Sequence, residues 1–126
     1  MKKPTIALTM LLALTSGYSH ATEVAAPPVP TYLNTVEKYR YCEATSKLAA
    51  MTMIGYQNRL SLTEMLEALR TVDNMLKVDK LDAWVENIAV EVYSGKHGNR
   101  MNLQSNRDMY INKLQDKALT ACMRSL

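Results

Sequence analysis

The chain has 126 residues, with 15 lysines and arginines against 12 aspartates and glutamates, which gives a formal net charge of +3 at pH 7. Lys2 and Lys3 belong to a leader that we expect to be removed, so the remainder carries only +1. A near-neutral chain has no general electrostatic attraction to nucleic acid or to an anionic membrane, and neither is expected as a partner.

The first 21 residues are organised like a cleavable secretory signal peptide. A positive start precedes an apolar stretch over 6–14, and Ser19 and Ala21 supply the small residues that a signal peptidase requires. That stretch is roughly 10 residues long, whereas a membrane-spanning helix needs about 20, which disfavours a membrane anchor. Cleavage would make Thr22 the new N-terminus. We expect a periplasmic (or secreted) product without stable membrane insertion.

Residues 22–33 are expected to form a proline-rich, flexible tether ahead of a helical domain over 34–126. Pro27, Pro28 and Pro30 lack an amide proton and fix φ, which favours an extended backbone. No proline follows, while residues that favour helices are abundant. The sequence after the tether is therefore predicted to be helical.

Two capping boxes mark the starts of the first two helices. Asn34 with Glu37, and Ser61 with Glu64, can each exchange hydrogen bonds with backbone amides across a first helical turn. Apolar or small residues then recur every three or four positions, which predicts one buried face on each helix. The first face is Tyr39, Cys42, Ser46, Ala49, Met53, Tyr56 and Leu60, and the second is Met65, Leu66, Leu69, Val72 and Leu76.

The third and fourth helices are predicted from the same periodicity. Asp79 is the expected cap of the third helix and Gly95 its left-handed stop, while the fourth begins between Asn102 and Ser105, where Asp108 would complete a cap at Ser105. Their apolar faces are Leu81, Trp84, Val85, Ile88 and Val92, then Ile111, Leu114, Ala118, Ala121 and Cys122. No segment alternates with the period of a strand. The predicted fold class is all-α, a small four-helix bundle of up-down-up-down order.

Cys42 and Cys122 are the two cysteines of the chain, and an even number in an exported protein indicates a disulfide. In the predicted order, the C-terminal end of the last helix lies beside the N-terminal end of the first, which brings the two residues together. Two separate buried thiols are the alternative. A spacing of 80 residues and a single histidine after the leader, His97, do not fit a zinc site.

No combination of residues predicts catalysis, so we expect a protein that is not an enzyme and needs no metal or cofactor. His97 stands on a glycine-flanked loop and no Gly-x-Ser-x-Gly segment is present, which disfavours nucleophilic hydrolysis. Glutamates that could serve a cell-wall glycosidase are better explained as caps or solvated helix faces. Seven methionines after the leader could bind Cu(I), but most fall on or near the apolar faces and are better explained as core.

A run of basic residues after the third helix could contact an acidic protein partner in the cell envelope. It contains no carboxylate between Glu91 and Asp108, and it consists of Lys96, His97, Arg100 and Arg107. Tyr41, which lies off the apolar face of the first helix, is a second candidate contact. The alternative for the basic run is an ordinary solvated loop.

Several short segments of the chain form a recognisable set. They are Tyr41-Cys42 with Ala49 and Met53, Arg59-Leu60-Ser61 with Glu64, Ile88-Ala89 with Val92-Tyr93, and Cys122. Together they resemble a class of short exported all-helical bacterial proteins with one early and one late cysteine, mostly of uncharacterised function. The resemblance implies export and architecture, and no active-site residue. Because the sequence indicates export, one small core and no catalytic combination of residues, we expect a non-enzymatic periplasmic binding or interaction protein. An inhibitor or immunity protein against a cell-wall hydrolase is its sharpest form, and a stress-related periplasmic chaperone is the alternative.

Overall fold

The computed structural model describes residues 23–126, apart from the side chains of 73–76. In that part of the chain there are four helices and no strand: α1 (Thr35–Gln57), α2 (Leu62–Leu76), α3 (Leu81–Tyr93) and α4 (Gln104–Arg124). The predicted all-α, four-helix fold is confirmed. The predicted signal peptide, 1–21, and Thr22 lie outside the described residues, and so does the side chain of Leu76.

The starts of α1 and α2 follow from their capping boxes, as predicted. The Glu37 amide donates to Asn34 Oδ1 and the Asn34 amide donates to Glu37 Oε1, both at 2.9 Å. Ser61 and Glu64 make the same reciprocal pair ahead of α2, at 3.1 and 3.3 Å. These bonds satisfy amides that have no partner within the helix itself.

The starts of α3 and α4 correct two predicted caps. Lys80, with a left-handed φ of 65°, immediately precedes α3 and caps it with no side-chain bond, so Asp79 stands one residue too early to serve as the cap. Leu103 precedes α4, also without a side-chain bond, and Ser105 is already inside the helix. Gly95, with φ of 87°, ends α3 in the left-handed conformation that was predicted.

The helix α1 is central, because its backbone contacts each of the other three helices. Among the described helices, α2 and α3 also contact each other, whereas α4 contacts α1 alone. The end of α1, at Gln57, meets Asn99 just before α4, while Cys42 near the start of α1 meets Cys122 near the end of α4. These two meeting points make α1 and α4 antiparallel neighbours.

The predicted disulfide joins Cys42 to Cys122, with the two Cα atoms 5.5 Å apart and both side chains fully buried. Tyr39, predicted on the same buried face as Cys42, is instead 48% exposed. It lies one turn before Cys42, past the point where the antiparallel α4 ends, so α4 does not cover it. One core links all four helices: Val24, Leu48, Ala49, Met53, Tyr56, Met65, Leu69, Leu81, Trp84, Val85, Ile88, Ala89, Val92, Leu114 and Ala118.

The segment predicted as a flexible tether is, from residue 23 onward, packed against the helices. It has no regular secondary structure, as expected of a proline-rich stretch, yet Val24 and Pro27 are buried. Trp84 donates its indole N–H to the Ala25 carbonyl at 2.8 Å, and the Tyr41 hydroxyl donates to the Pro28 carbonyl. Carbonyls of an extended chain are free to accept such bonds because the segment makes none of its own. Residues 23–30 therefore belong to the domain.

Candidate functional site: a loop clamped between the ends of two helices

The basic run predicted as a partner contact lies in the loop of residues 94–103, which joins α3 to α4 and is called the clamped loop below. Its tip carries the exposed side chains of Lys96, Asn99, Arg100 and Asn102, followed by Leu103, which is 65% exposed. Loops that a rigid scaffold holds in one conformation commonly carry function.

Gln57, the last residue of α1, binds the loop backbone with both ends of its side-chain amide. The side chain is buried, with 2% of the residue exposed. Its Nε2 donates to the Asn99 carbonyl at 2.8 Å, and its Oε1 accepts the Met101 amide at 2.8 Å. An amide side chain offers a donor and an acceptor in one plane, so it can bond a backbone carbonyl and a backbone amide of the loop at the same time.

Two arginines add a second set of bonds. Arg100 donates its Nε–H to the Tyr56 carbonyl at 2.9 Å, and its guanidinium carbon lies 4.5 Å above the Tyr56 ring. Arg107, on the first turn of α4, donates its Nε–H to the Met101 carbonyl at 2.7 Å. Tyr56 in turn packs edge to face on Tyr93, with the ring centroids 5.1 Å apart. A guanidinium that is both stacked and hydrogen-bonded is held in one conformation, whereas a solvated arginine side chain samples many.

His97, predicted as a partner contact, is instead inside the loop, where its side chain is only 1% exposed. Its Nε2 lies 3.1 Å from Glu91 Oε2. Within the described residues, neither His97 Nδ1 nor the Tyr93 hydroxyl has a hydrogen-bond partner, although both are buried. Burial raises the pKa of Tyr93, an effect opposed by the nearby charge of Arg100. His97 supports the loop from beneath and does not reach its surface.

Gly98 lets the loop pass directly under an aromatic ring. Its φ is 125°, which side chains rarely allow, and a Cβ atom placed there would lie 2.4 Å from the ring of Tyr110. Lys96, the remaining member of the predicted basic run, is exposed. Tyr41, the other predicted contact, is half-buried at the opposite end of α1 and donates its hydroxyl to the N-terminal segment, so it is not part of this site.

Charge is divided unevenly between the two sides of α1. Residues 94–126, the clamped loop and α4, hold six lysines and arginines against two carboxylates, whereas residues 60–93, the α2–α3 hairpin, hold seven carboxylates against three cations. The near-neutral total therefore conceals a basic side, about +4, and an acidic side, about −4. The clamped loop stands on the basic side.

Two residues of α1 hold the loop without having been predicted to do so: Gln57 was not singled out, and Tyr56 was predicted only as part of the buried face. A usable signal existed for Gln57, since it follows Met53 by one turn and so continues the buried face with a polar side chain. A buried amide needs partners, which points to a loop folded over it.

Residues 23–126 contain no group of three or more histidine, cysteine or acidic side chains placed to hold a metal ion. Met53 and Met65 are core residues, as expected, and Met109 is half-exposed. None of the helices over these residues has the length and apolar character needed to cross a bilayer.

Comparison of the chain with models of protein families, with curated protein sequences and with solved structures finds no match.

Proposed function

We propose that this chain is an exported, non-enzymatic interaction protein of the cell envelope, and that it binds an acidic protein partner through the clamped loop. The observation that carries the proposal is the clamp itself. Four side-chain bonds, from Gln57, Arg100 and Arg107, fix a short loop whose tip still exposes Lys96 and Leu103. A surface ordered before binding loses little conformational entropy on association.

The chemistry of the loop indicates the kind of surface it fits. Lysine and arginine charges on a basic side of the molecule speed the encounter with an acidic surface. The exposed Leu103 supplies an apolar contact beside them. A wall-cleaving glycosidase has paired carboxylates in an open cleft, which matches a rigid basic loop. An inhibitor or immunity protein against a cell-wall hydrolase is the form of the proposal that we favour.

Export is part of this proposal. The Cys42–Cys122 bridge supports it, because disulfides persist in oxidising compartments. N-terminal sequencing of the protein recovered from the periplasm should begin at Thr22. A pool that begins at Met1 would contradict export by a cleaved signal peptide.

Binding measured with a charge-reversal variant tests the loop. A pull-down from periplasmic extract should yield one stoichiometric partner, and surface plasmon resonance then gives its rates. Lys96→Glu should slow association about tenfold at low salt, with less effect at high salt. Lys47→Glu, at an exposed position on α1, is the matched control and should change little. Equal association rates for both variants would remove the loop from the interface.

A stress-related chaperone is the second candidate, and one observation favours it. Tyr32, Val36 and Tyr39 lie near the start of α1 and are 82%, 58% and 48% exposed. Exposed apolar surface of this kind can hold unfolded clients. The same pull-down separates the two functions, because a chaperone recovers many clients and an inhibitor recovers one partner.

A further inference from the structure

A cleft of about 290 Å³ lies on the basic side of the molecule, away from the clamped loop. One wall is an edge of α4 and the other is the start of the described N-terminal segment. The second wall is firmly placed, because Val24 is buried and Trp84 holds the next carbonyl, that of Ala25. The cleft is therefore built from packed elements on both sides.

Three cations along one edge of α4 line this cleft. They are Lys113, Lys117 and Arg124, spaced so that each lies one or two turns from the next, with the Thr120 hydroxyl between them. In the part of the chain that the structure describes, the two ion pairs lie elsewhere and none of these three cations forms one. Three cations and two carboxylates, Glu23 and Asp116, therefore line the cleft, which leaves its described lining with an excess of positive charge.

Lys117 lies deepest among the charged groups. It is half-buried beside the buried Val24, whereas the other charged residues of the cleft, Glu23, Lys113, Asp116 and Arg124, are exposed. Burial, together with the neighbouring charge of Lys113, lowers the pKa of Lys117. An anion beside the Lys117 ammonium would raise this pKa again, since a nearby opposite charge favours the protonated form. Solvent screens the exposed carboxylates and the exposed Lys113 and Arg124 alike, so the half-buried Lys117 has the strongest effect on such an anion.

We propose that this cleft is an anion site that takes a phosphate group, with the Lys113, Lys117 and Arg124 cations around it and the Thr120 hydroxyl as an additional donor. Its volume admits a phosphate with a short apolar substituent against Val24 and Ala121. The phosphate could be carried by a soluble ester or by a lipid headgroup, and both present the same oxygens. The site is independent of the partner-binding role assigned to the loop.

Titration of the intact chain with inorganic phosphate, followed by ¹H–¹⁵N spectra of the lysine ammonium groups, tests the site. Phosphate should shift the Lys117 signal saturably and raise the Lys117 pKa, whereas chloride at the same ionic strength should not. Lys117→Gln should weaken phosphate binding at least tenfold, and the matched control Lys47→Gln should leave it unchanged. Equal shifts with chloride, or equal affinities for the two variants, would overturn the proposal.

A second variant and a second probe complete the test. Thr120→Val changes an exposed side chain, so it should fold, and it should weaken phosphate binding severalfold. Unchanged binding would contradict the assignment of the Thr120 hydroxyl to the site. Co-sedimentation with phosphatidylglycerol vesicles then identifies the source. Capture by the vesicles assigns the site to a lipid headgroup, and binding of free phosphate alone assigns it to a soluble ester.

Discussion

Replacing Gln57 by leucine tests whether the clamp orders the loop. The change keeps the side-chain volume similar and removes both bonds to the loop backbone, at Asn99 and Met101. Each bond contributes about 1 kcal/mol net, and because both loop groups are only partly buried, water can replace some of what is lost. We expect a loss of about 2 kcal/mol in the free energy of unfolding, which for a domain of this size lowers Tm by about 10 °C.

The measurement that distinguishes an ordered loop from simple destabilisation is amide hydrogen exchange. In Gln57→Leu, the Met101 amide loses its acceptor and should exchange much faster than amides in the middle of α1. Gln57→Glu separates the two bonds, because a carboxylate still accepts the Met101 amide but places an oxygen against the Asn99 carbonyl. In that variant Met101 should stay protected while the protein is still destabilised.

A matched control is available at Gln115, a half-buried residue of α4 that makes none of the hydrogen bonds described above. Gln115→Leu should change the free energy of unfolding by no more than about 0.5 kcal/mol. Equal stability of Gln57→Leu and Gln115→Leu, or exchange of the Met101 amide at the wild-type rate in Gln57→Leu, would show that Gln57 does not order the loop.

Three further changes test other parts of the fold. Replacing Cys42 and Cys122 together by alanine should lower the free energy of unfolding by about 4 kcal/mol, because the bridge closes a loop of 80 residues. Thermal unfolding should show a Tm lower by about 10 °C or more, and non-reduced mass spectrometry of the wild type should find no free thiol. Gly98→Ala should cost about 1–3 kcal/mol through backbone strain and the clash with the ring above it, whereas Gly95→Ala, where the nearest atom would be 3.7 Å away, should cost less. Trp84→Phe removes the donor that holds the N-terminal segment, so limited proteolysis of that segment should speed up while the helices keep their protection; unchanged proteolysis would mean that the bond does not hold it.

The helix starts that could be predicted are those decided by neighbouring residues. At Asn34 and Ser61, the cap and its partner are three residues apart, so the sequence contains the whole interaction. Asp79 and Ser105 are also residue types that cap helices, but neither is used. The actual caps, Lys80 and Leu103, make no side-chain hydrogen bond, so the backbone conformation of the preceding turn decides where each helix begins. The left-handed Lys80 has no local signature, because lysine rarely adopts that conformation.

Contacts between distant residues account for what the sequence did not predict. The N-terminal segment reads as a tether because its prolines prevent helix, yet its carbonyls are bound by Tyr41 and Trp84, 13 and 59 residues away. The clamp joins residues 42 and 44 positions apart. Periodicity and capping rules act over a few residues and contain no information about such pairs. The disulfide was predictable because the even number of cysteines, the expected export and the predicted helix order all pointed to it.

The helix α4 is held to α1 at both ends by different chemistry, and this separates the two proposed sites. The disulfide holds the end that carries Arg124 and the phosphate cleft, and the Gln57 clamp holds the end that carries the loop. Since α4 contacts no other described helix, loosening either end should affect the nearby site first.

The double cysteine variant and Gln57→Leu test whether the two ends of α4 act separately, when both are measured below their melting temperatures. The double cysteine variant should weaken phosphate binding more than partner binding, because Ala121 and Arg124, which line the cleft, lie next to Cys122 in the chain. Gln57→Leu should do the reverse, because it frees the loop and leaves the far end of α4 bridged. If both variants weakened phosphate binding and partner binding in proportion to their loss of stability, α4 would move as one unit and the two sites would not be independent.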